Sequence, residues 1–465
     1  MIKSAAFPSL LAFLKVNIIK IKVIQINTSF TAQNFQTPIF AAAKTKNMHA
    51  SNLAQNLHGS EIIKIAAEIN ELKKKGEQIA NLTIGDFDPS IFPIPEELQQ
   101  LIIKAYEANQ TNYPPADGVL ELRASVSAFL KAKFGLDYGT NEIIISGGSR
   151  PLIYAIFLAL VNEGEKVVFP SPSWNNNHYC DLLRAEAVIV PTQPENNFMP
   201  TADELRPHLK GAALLSLCSP LNPTGTMFLK KDLEAICDLV IEENKRRSKS
   251  EKPLYILYDQ IYSQLTFGKH EHFNPVSLRP ELRDYVVFVD GSSKCFAATG
   301  VRVGWGFGPA AIINYMKAVI GHMGAWSPKP EQVAMSKFLQ ENAAVESYLT
   351  TFRQNLQKNL DTLYRGFISL KEKGFAVDAI EPMGAIYLTL KVDYAGKTTP
   401  ERKMLRTSTD INFYLIKEAQ VALVPFSAFG AEDDVNWFRA SLGASTVEDI
   451  QQMLPRIEAA LARLK

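Results

Sequence analysis

Between Glu142 and Phe307 the chain alternates short, β-rich apolar runs with helical stretches, a rhythm that few architectures accept. Strands are predicted at Glu142–Ser146, Lys166–Phe169, Ala187–Val190, Ala212–Cys218, Leu254–Tyr258, Val286–Val289 and Val303–Phe307. Helices are predicted among them at Pro151–Val161, Asn176–Arg184 and Lys231–Lys245. Such a pattern implies a mostly parallel sheet covered by helices on both faces, an α/β fold. Ligands of such sheets bind beyond the carboxyl ends of the strands. Polar motifs just after a predicted strand therefore carry the search for chemistry.

The flanks read differently. Ser60 is placed to cap a helix with Ile62, Ile65, Ile69 and Leu72 on one face, ending near Gly76. A strand over Gln78–Ile84 and helices over Pro95–Ala108 and Gly118–Phe134 follow. After Pro330 a long helical region, about Glu331–Lys373, leads to strands near Ile386–Lys391, Val421–Val424 and Asn436–Ala440 and a final helix Val447–Leu464. The expected organisation is a large domain over 93–330 and a smaller α+β domain formed by 51–92 with 331–465. Residues 1–50 stand apart: no acid precedes Glu61, while six lysines do, and arginine is absent. Arginine-poor composition argues against a transit peptide, so we expect a poorly ordered extension, with Met48 as the true initiator.

Composition serves mainly to exclude. A net charge of +1 and a pI near 7.6 give no basis for nucleic acid or an anionic membrane as partner. No apolar run reaches the length of a membrane span. The four cysteines form no C-x-x-C pair, which speaks against a zinc or disulfide framework and suits a reducing cytoplasm. The seven histidines form no H-x-x-x-H pair, so no metal is expected.

Five motifs and one tryptophan follow predicted strands or lie within them. Gly147-Gly148-Ser149 opens a helix, either as an ordinary turn or as an anion cradle of backbone N–H groups. Trp174 is core or a flat face for a ring. Asn222, in Asn222-Pro223-Thr224-Gly225, is a loop former or an amide reaching a ligand oxygen. Asp259, with Tyr262 three residues on, is a cap or the partner of a protonated ring nitrogen. Lys294 follows Gly291-Ser292-Ser293, and Arg302 lies eight residues later. That lysine is a solvated surface group or a desolvated amine nucleophile, with the arginine clamping a phosphate. Arg439, inside an apolar strand, needs an anion from the protein or from a substrate.

The order G-G-S, P-S-W, N-P-T-G, D-x-x-Y, S-S-K and R-x-S-L-G resembles that of the class I/II, aspartate aminotransferase-like enzymes, which depend on pyridoxal 5′-phosphate (PLP). The likeness runs from about Ser60 to the C-terminus. It implies a PLP-binding large domain and a ping-pong exchange of an amino group between an L-amino acid of aspartate or aromatic type and a 2-oxo acid. Lys294 would condense with the cofactor's aldehyde and later move the α-proton. Asp259 would hold the pyridine nitrogen protonated, Tyr262 and Asn222 would meet the phenolic oxygen, and Trp174 would stack on the ring. Gly148, Ser149, Arg302 and a hydroxyl from Ser292 or Ser293 would bind the phosphate. Tyr113 would reach the phosphate of a neighbouring subunit, implying a homodimer, while Gly85 and Arg439 would receive the α-carboxylate. The chain departs from the family at Gly291, where a hydroxyl residue is usual, and at Val301, where bulkier or polar residues are. It also has Ser149 where members favouring acidic substrates can carry lysine; Arg150 stands alongside. The alternatives are a PLP-dependent lyase of the same fold and a catalytically silent relative.

Overall fold

A computed structural model describes residues 50, 51, 53, 54, 65, 67, 69, 71, 72, 74–432 and 435–465. The predicted extension, Ala50 aside, and Ser60 and Ile62 of the first predicted helix lie outside the described residues. Ile65 and Ile69 are helical and buried, in one cluster with Ile79, Ile416 and Ala422.

The first strand, β1 (Ala80–Asn81), is all that forms of the predicted Gln78–Ile84 run. A seven-stranded sheet then takes β2 (Ile143–Ser146), β3 (Lys166–Ser171), β4 (Glu186–Pro191), β5 (Ala212–Cys218), β6 (Tyr255–Asp259), β7 (Val286–Gly291) and β8 (Gly304–Phe307). Their order is β2-β8-β7-β6-β5-β3-β4, with β8 antiparallel to both neighbours and the other pairings parallel.

Alternate residues of these strands enter two separate cores. On one face Ile145, Leu215, Ile256 and Phe288 pack against the helices Leu120–Phe134, Lys230–Arg246 and Lys329–Phe338. On the other, Ile144, Leu214, Leu257 and Val287 pack against Ser149–Leu160 and Ala310–Met323. A strand apolar at every position can bury itself only this way. Each fully buried large side chain stabilises the fold by about 1.5–3 kcal/mol.

The later chain forms β9 (Val377–Ala379), β10 (Tyr387–Val392), β11 (Val421–Ala422), β12 (Val424–Pro425) and β13 (Trp437–Ser441). A four-stranded antiparallel sheet has the order β12-β13-β10-β9, and β11 pairs in parallel with β1. Its core is built with Leu356, Leu360 and Phe367 of the helix Asn342–Glu372 and Ile450, Met453 and Ile457 of Val447–Leu461.

Two predicted elements are divided. The Glu331–Lys373 helix is two helices, Lys329–Phe338 and Asn342–Glu372. Between them the amides of Gln340 and Glu341 donate to carbonyls three residues back, and Glu341 leaves the helical region at ψ 65°. The Val421–Val424 run serves two sheets, β11 in one and β12 in the other. The amide of Leu423 between them donates to the Asn412 side chain at 2.9 Å instead of to a strand. The helices Ala310–Met323 and Ser408–Ala419 and the short β9 were not predicted.

Candidate active site

Beyond the carboxyl ends of β3, β5, β6 and β7 lies a cavity of about 560 Å³. Its lining includes Lys294, Asp259, Tyr262, Asn222, Trp174, Ser149, Arg302, Gly85 and Arg439, drawn from both sheets. Parallel strands end on one side of a sheet, so the loops after them converge there.

Lys294 follows β7 in a single helical turn, Ser292–Cys295. It is half-buried, with Nζ 5.8 Å from the Phe87 ring centroid and 6.0 Å from that of Tyr262. Nζ donates to the Gly85 carbonyl at 2.6 Å. Burial above all pushes the amine down to about 8; Asp86 opposes this, and the guanidinium groups of Arg439, Arg150 and Arg302 add to it. An amine so placed is substantially neutral near pH 8, as a carbonyl nucleophile must be.

Asp259 ends β6, half-buried, and accepts from the Ile261 amide at 3.0 Å. Burial lifts its carboxyl to about 6. No arginine or lysine pairs with it among the described residues, so a cationic nitrogen entering the cavity is the partner its charge lacks.

At the far end the helix Ser149–Leu160 presents its first turn, where backbone N–H groups have no helical partner. Gly148 precedes it at φ 101°, a conformation favouring glycine, and a Cβ there would collide with the Arg302 guanidinium. Arg302 donates to the carbonyls of Gly147 and, at 2.9 Å, Thr299. Ser149, Ser293, Thr299 and Arg302 line this end of the cavity. Free N–H groups, hydroxyls and a guanidinium form a donor set suited to a phosphate. Ser292 is turned away: its hydroxyl donates to the Val303 carbonyl at 2.9 Å, leaving Ser293 as the one of the two that lines the cavity.

Arg439, in mid-β13, is 2% exposed. It donates to Asn222 Oδ1 at 3.0 Å and to the Thr83 carbonyl at 2.7 Å, between the rings of Tyr387 (4.6 Å) and Phe429 (4.8 Å). Its Nε has no hydrogen-bond partner among the described residues. It is a buried cation held by neutral groups, and a carboxylate would complete it. With its acceptor oxygen on Arg439, Asn222 keeps Nδ2 as a donor for a ligand. Trp174 lines the cavity, half-buried, with the Arg150 guanidinium 5.2 Å from its ring centroid. Tyr113 is not brought into this cavity; it is 81% exposed, edge-on to Trp326 at 5.2 Å.

A sequence model of the family described as Aminotransferase class I and II matches residues 77–457. The chain belongs to that family. Among relatives of this aminotransferase is a probable aspartate/prephenate aminotransferase of Rickettsia bellii, 29% identical over 410 residues, covering 87% of this chain and 97% of the relative. An aspartate aminotransferase of Rhizobium meliloti is 26% identical over 431 residues, covering 92% and 99%. A crystal structure of the Rhizobium meliloti aspartate aminotransferase superposes with a TM-score of 0.82 at 26% identity, covering 90% of this chain and all of that one. An aromatic aminotransferase of Pyrococcus horikoshii superposes at 0.74 and 26% identity, covering 85% and 98%. The expected family, α/β fold and transaminase activity all stand, and the family is one that depends on PLP.

Sequence reasoning missed three groups of this transaminase. Asp86 and Tyr387 line the cavity, and Asp290 is buried, accepting from the Gln260 side-chain amide at 3.0 Å. Tyr387 opens an apolar strand, where tyrosine is an ordinary β-former, so only Gly384 three residues earlier hinted at close packing.

Proposed function

We propose that this aminotransferase binds PLP in the cavity and uses it to exchange an amino group between an amino acid of aspartate or aromatic type and a 2-oxo acid. The reading is carried by one observation: Lys294, Asp259 and Arg302 line the same cavity. When bound, PLP supplies an aldehyde and a ring that accepts electrons from the substrate's α-carbon.

The chain's own groups do the rest. Lys294, neutral for much of the time near pH 8, supplies the amine and carries the α-proton. Asp259 pairs with the protonated ring nitrogen, and Tyr262 and the Asn222 amide donate to the phenolic oxygen. Trp174 stacks on the ring face. The first turn after Gly148, the hydroxyls of Ser149 and Ser293, and Arg302 hold the phosphate. Arg439 and the backbone at Gly85 take the α-carboxylate, and Arg150, over Trp174, faces the substrate's side chain.

Tyr113, exposed and outside its own cavity, is read as reaching a neighbouring subunit in a homodimer. We place the boundary between two domains at residues 92/93 and 330/331, with the smaller closing on the amino acid. All four cysteines are unpaired, in keeping with a cytoplasmic enzyme.

The test is Lys294→Ala. Turnover and the lysine-dependent visible absorbance band should both vanish; a variant keeping either would refute the assignment. Incubating the wild type with amino acid alone separates transaminase from lyase. Stoichiometric conversion of PLP to its amine form is expected, whereas release of ammonia or an olefinic product would indicate elimination.

A further inference from the structure

Tyr387, the first residue of β10, touches three groups to which different tasks fall. Its hydroxyl lies 2.7 Å from the Tyr262 hydroxyl. A Cβ on Gly85 would come within 2.6 Å of that same oxygen, so Gly85, whose carbonyl accepts from Lys294, packs directly on it. The Arg439 guanidinium lies 4.6 Å from the centroid of its ring. The side chain is 1% exposed and lines the cavity.

The backbone holds it there from several directions. Gly384 has no room for a side chain against Pro220 and the Leu265 carbonyl, and Gly225 none against the Tyr387 carbonyl. The Gly384 amide donates to the Gly225 carbonyl at 2.9 Å, and Thr389 Oγ1 to the Thr224 carbonyl at 2.7 Å. The start of β10 is thus tied to the loop that carries Asn222.

We propose that Tyr387 is a positioning residue: its hydroxyl donates to Tyr262, and its ring face steadies the Arg439 cation for the substrate's carboxylate. The inference rests on the PLP-dependent reading above. A phenol has one proton and two lone pairs. If Tyr262 spends its proton on the cofactor's phenolic oxygen, the proton between the two tyrosines must come from Tyr387. The chain Tyr387 to Tyr262 to ligand oxygen then polarises in one direction, which makes Tyr262 the stronger donor. Burial above all raises the pKa of both phenols, so neither gives up its proton near neutrality. The charged and titratable groups acting on Tyr387 are Arg439, Tyr262, Cys218 and Asp86. The ring does a second task. A guanidinium enclosed by protein keeps its charge more easily against an aromatic face, and this one stays aimed at the cavity.

Two substitutions in the full PLP-loaded chain separate the tasks. Tyr387→Phe keeps the ring and removes the hydroxyl. The midpoint of the pH titration of the visible absorbance band should rise by roughly half a unit, because the phenolate loses part of its stabilisation. The kcat should fall roughly three- to tenfold, with KM for the 2-oxo acid nearly unchanged. Tyr387→Leu also removes the ring, and KM should then rise by about tenfold. An unmoved midpoint in Tyr387→Phe overturns the donor role. A KM in Tyr387→Leu equal to that in Tyr387→Phe overturns the stacking role. Should Tyr387→Leu fail to fold, Tyr387→Trp, which retains an aromatic face without the phenol, takes its place; its KM should stay near that of Tyr387→Phe, and a tenfold rise counts against stacking. Failure of the PLP reading itself would show differently, as a wild type with no Lys294-dependent band to titrate.

Discussion

The two sheets furnish the cavity in opposite ways. The seven-stranded sheet delivers its groups at or just past strand ends: Ser149 after β2, Lys294 after β7, Asp259 as the last residue of β6. The four-stranded sheet delivers Arg439 from the middle of β13 and Tyr387 from the start of β10. Their charges are also opposed. The two acids that burial raises, Asp259 and Asp290, belong to the first, and the arginine that burial lowers, Arg439, to the second. Strand ends and the loops after them can turn polar groups toward a ligand. A side chain from mid-strand is enclosed by its own sheet, so it needs neutral carbonyls and ring faces to keep its charge. On the reading proposed above, the larger sheet would hold the chemistry and the smaller one would recognise a carboxylate.

The largest effect expected of that division follows Arg439→Ala. Removing a buried cation from its intended anion costs roughly 2–5 kcal/mol, or about 30- to 4,000-fold in kcat/KM. KM for both the amino acid and the 2-oxo acid should carry most of it. The visible band that depends on Lys294 should survive. Steady-state kinetics beside an absorbance spectrum decide the matter: loss of the band on Arg439→Ala would mean that the two regions do not divide their work.

The same contrast governs what could be read in the sequence. Groups past strand ends sit in turn-forming motifs, and those motifs keep their meaning without coordinates: Gly147-Gly148-Ser149, Asn222-Pro223 and Ser292-Ser293-Lys294 each marked the cavity. The parallel sheet was legible for a related reason, since a strand buried on both faces is apolar throughout, as Val286–Val289 is. Ser292 and Ser293 were not separable, because which hydroxyl faces the cavity depends on one helical turn and on the Val303 carbonyl beside it. Tyr387 was invisible for the converse reason. Its importance lies in a hydroxyl contact with a residue 125 positions away, and no local pattern encodes that. The break between Phe338 and Asn342 carries neither glycine nor proline, so helix propensity ran straight through it.

A smaller effect is expected at the phosphate end. Gly148→Ala introduces a Cβ at φ 101° and against the Arg302 guanidinium at once. The strain amounts to about 1–3 kcal/mol, to be relieved by moving Arg302 or the helix start. PLP affinity, followed by fluorescence, should weaken roughly tenfold or more. KM for substrate at saturating cofactor should change little, because Arg439 lies on the other sheet. A variant with unchanged PLP affinity but raised KM would reverse the assignment of the two ends.

The smallest effect is read only through stability, and it belongs to the acids of the larger sheet. Asp290 accepts from Gln260 Nε2 at 3.0 Å and from the Gly291 amide at 2.7 Å. Burial still outweighs these bonds and lifts its carboxyl to about 7, with the nearby Asp259 adding to the rise. Asp259 itself stands at about 6. Both exceed the value of about 3.9 expected in an unfolded chain. In cofactor-free protein the folded state keeps protons that the unfolded state has released, so the stabilising contribution is complete below about pH 4 and is lost as pH rises through 6 and 7. Urea unfolding of the cofactor-free protein should show this decline between pH 5 and 7.5, and Asp290→Asn, neutral throughout, should make it shallower. An unaltered slope in Asp290→Asn would remove the buried acid from the contrast and leave only the buried base.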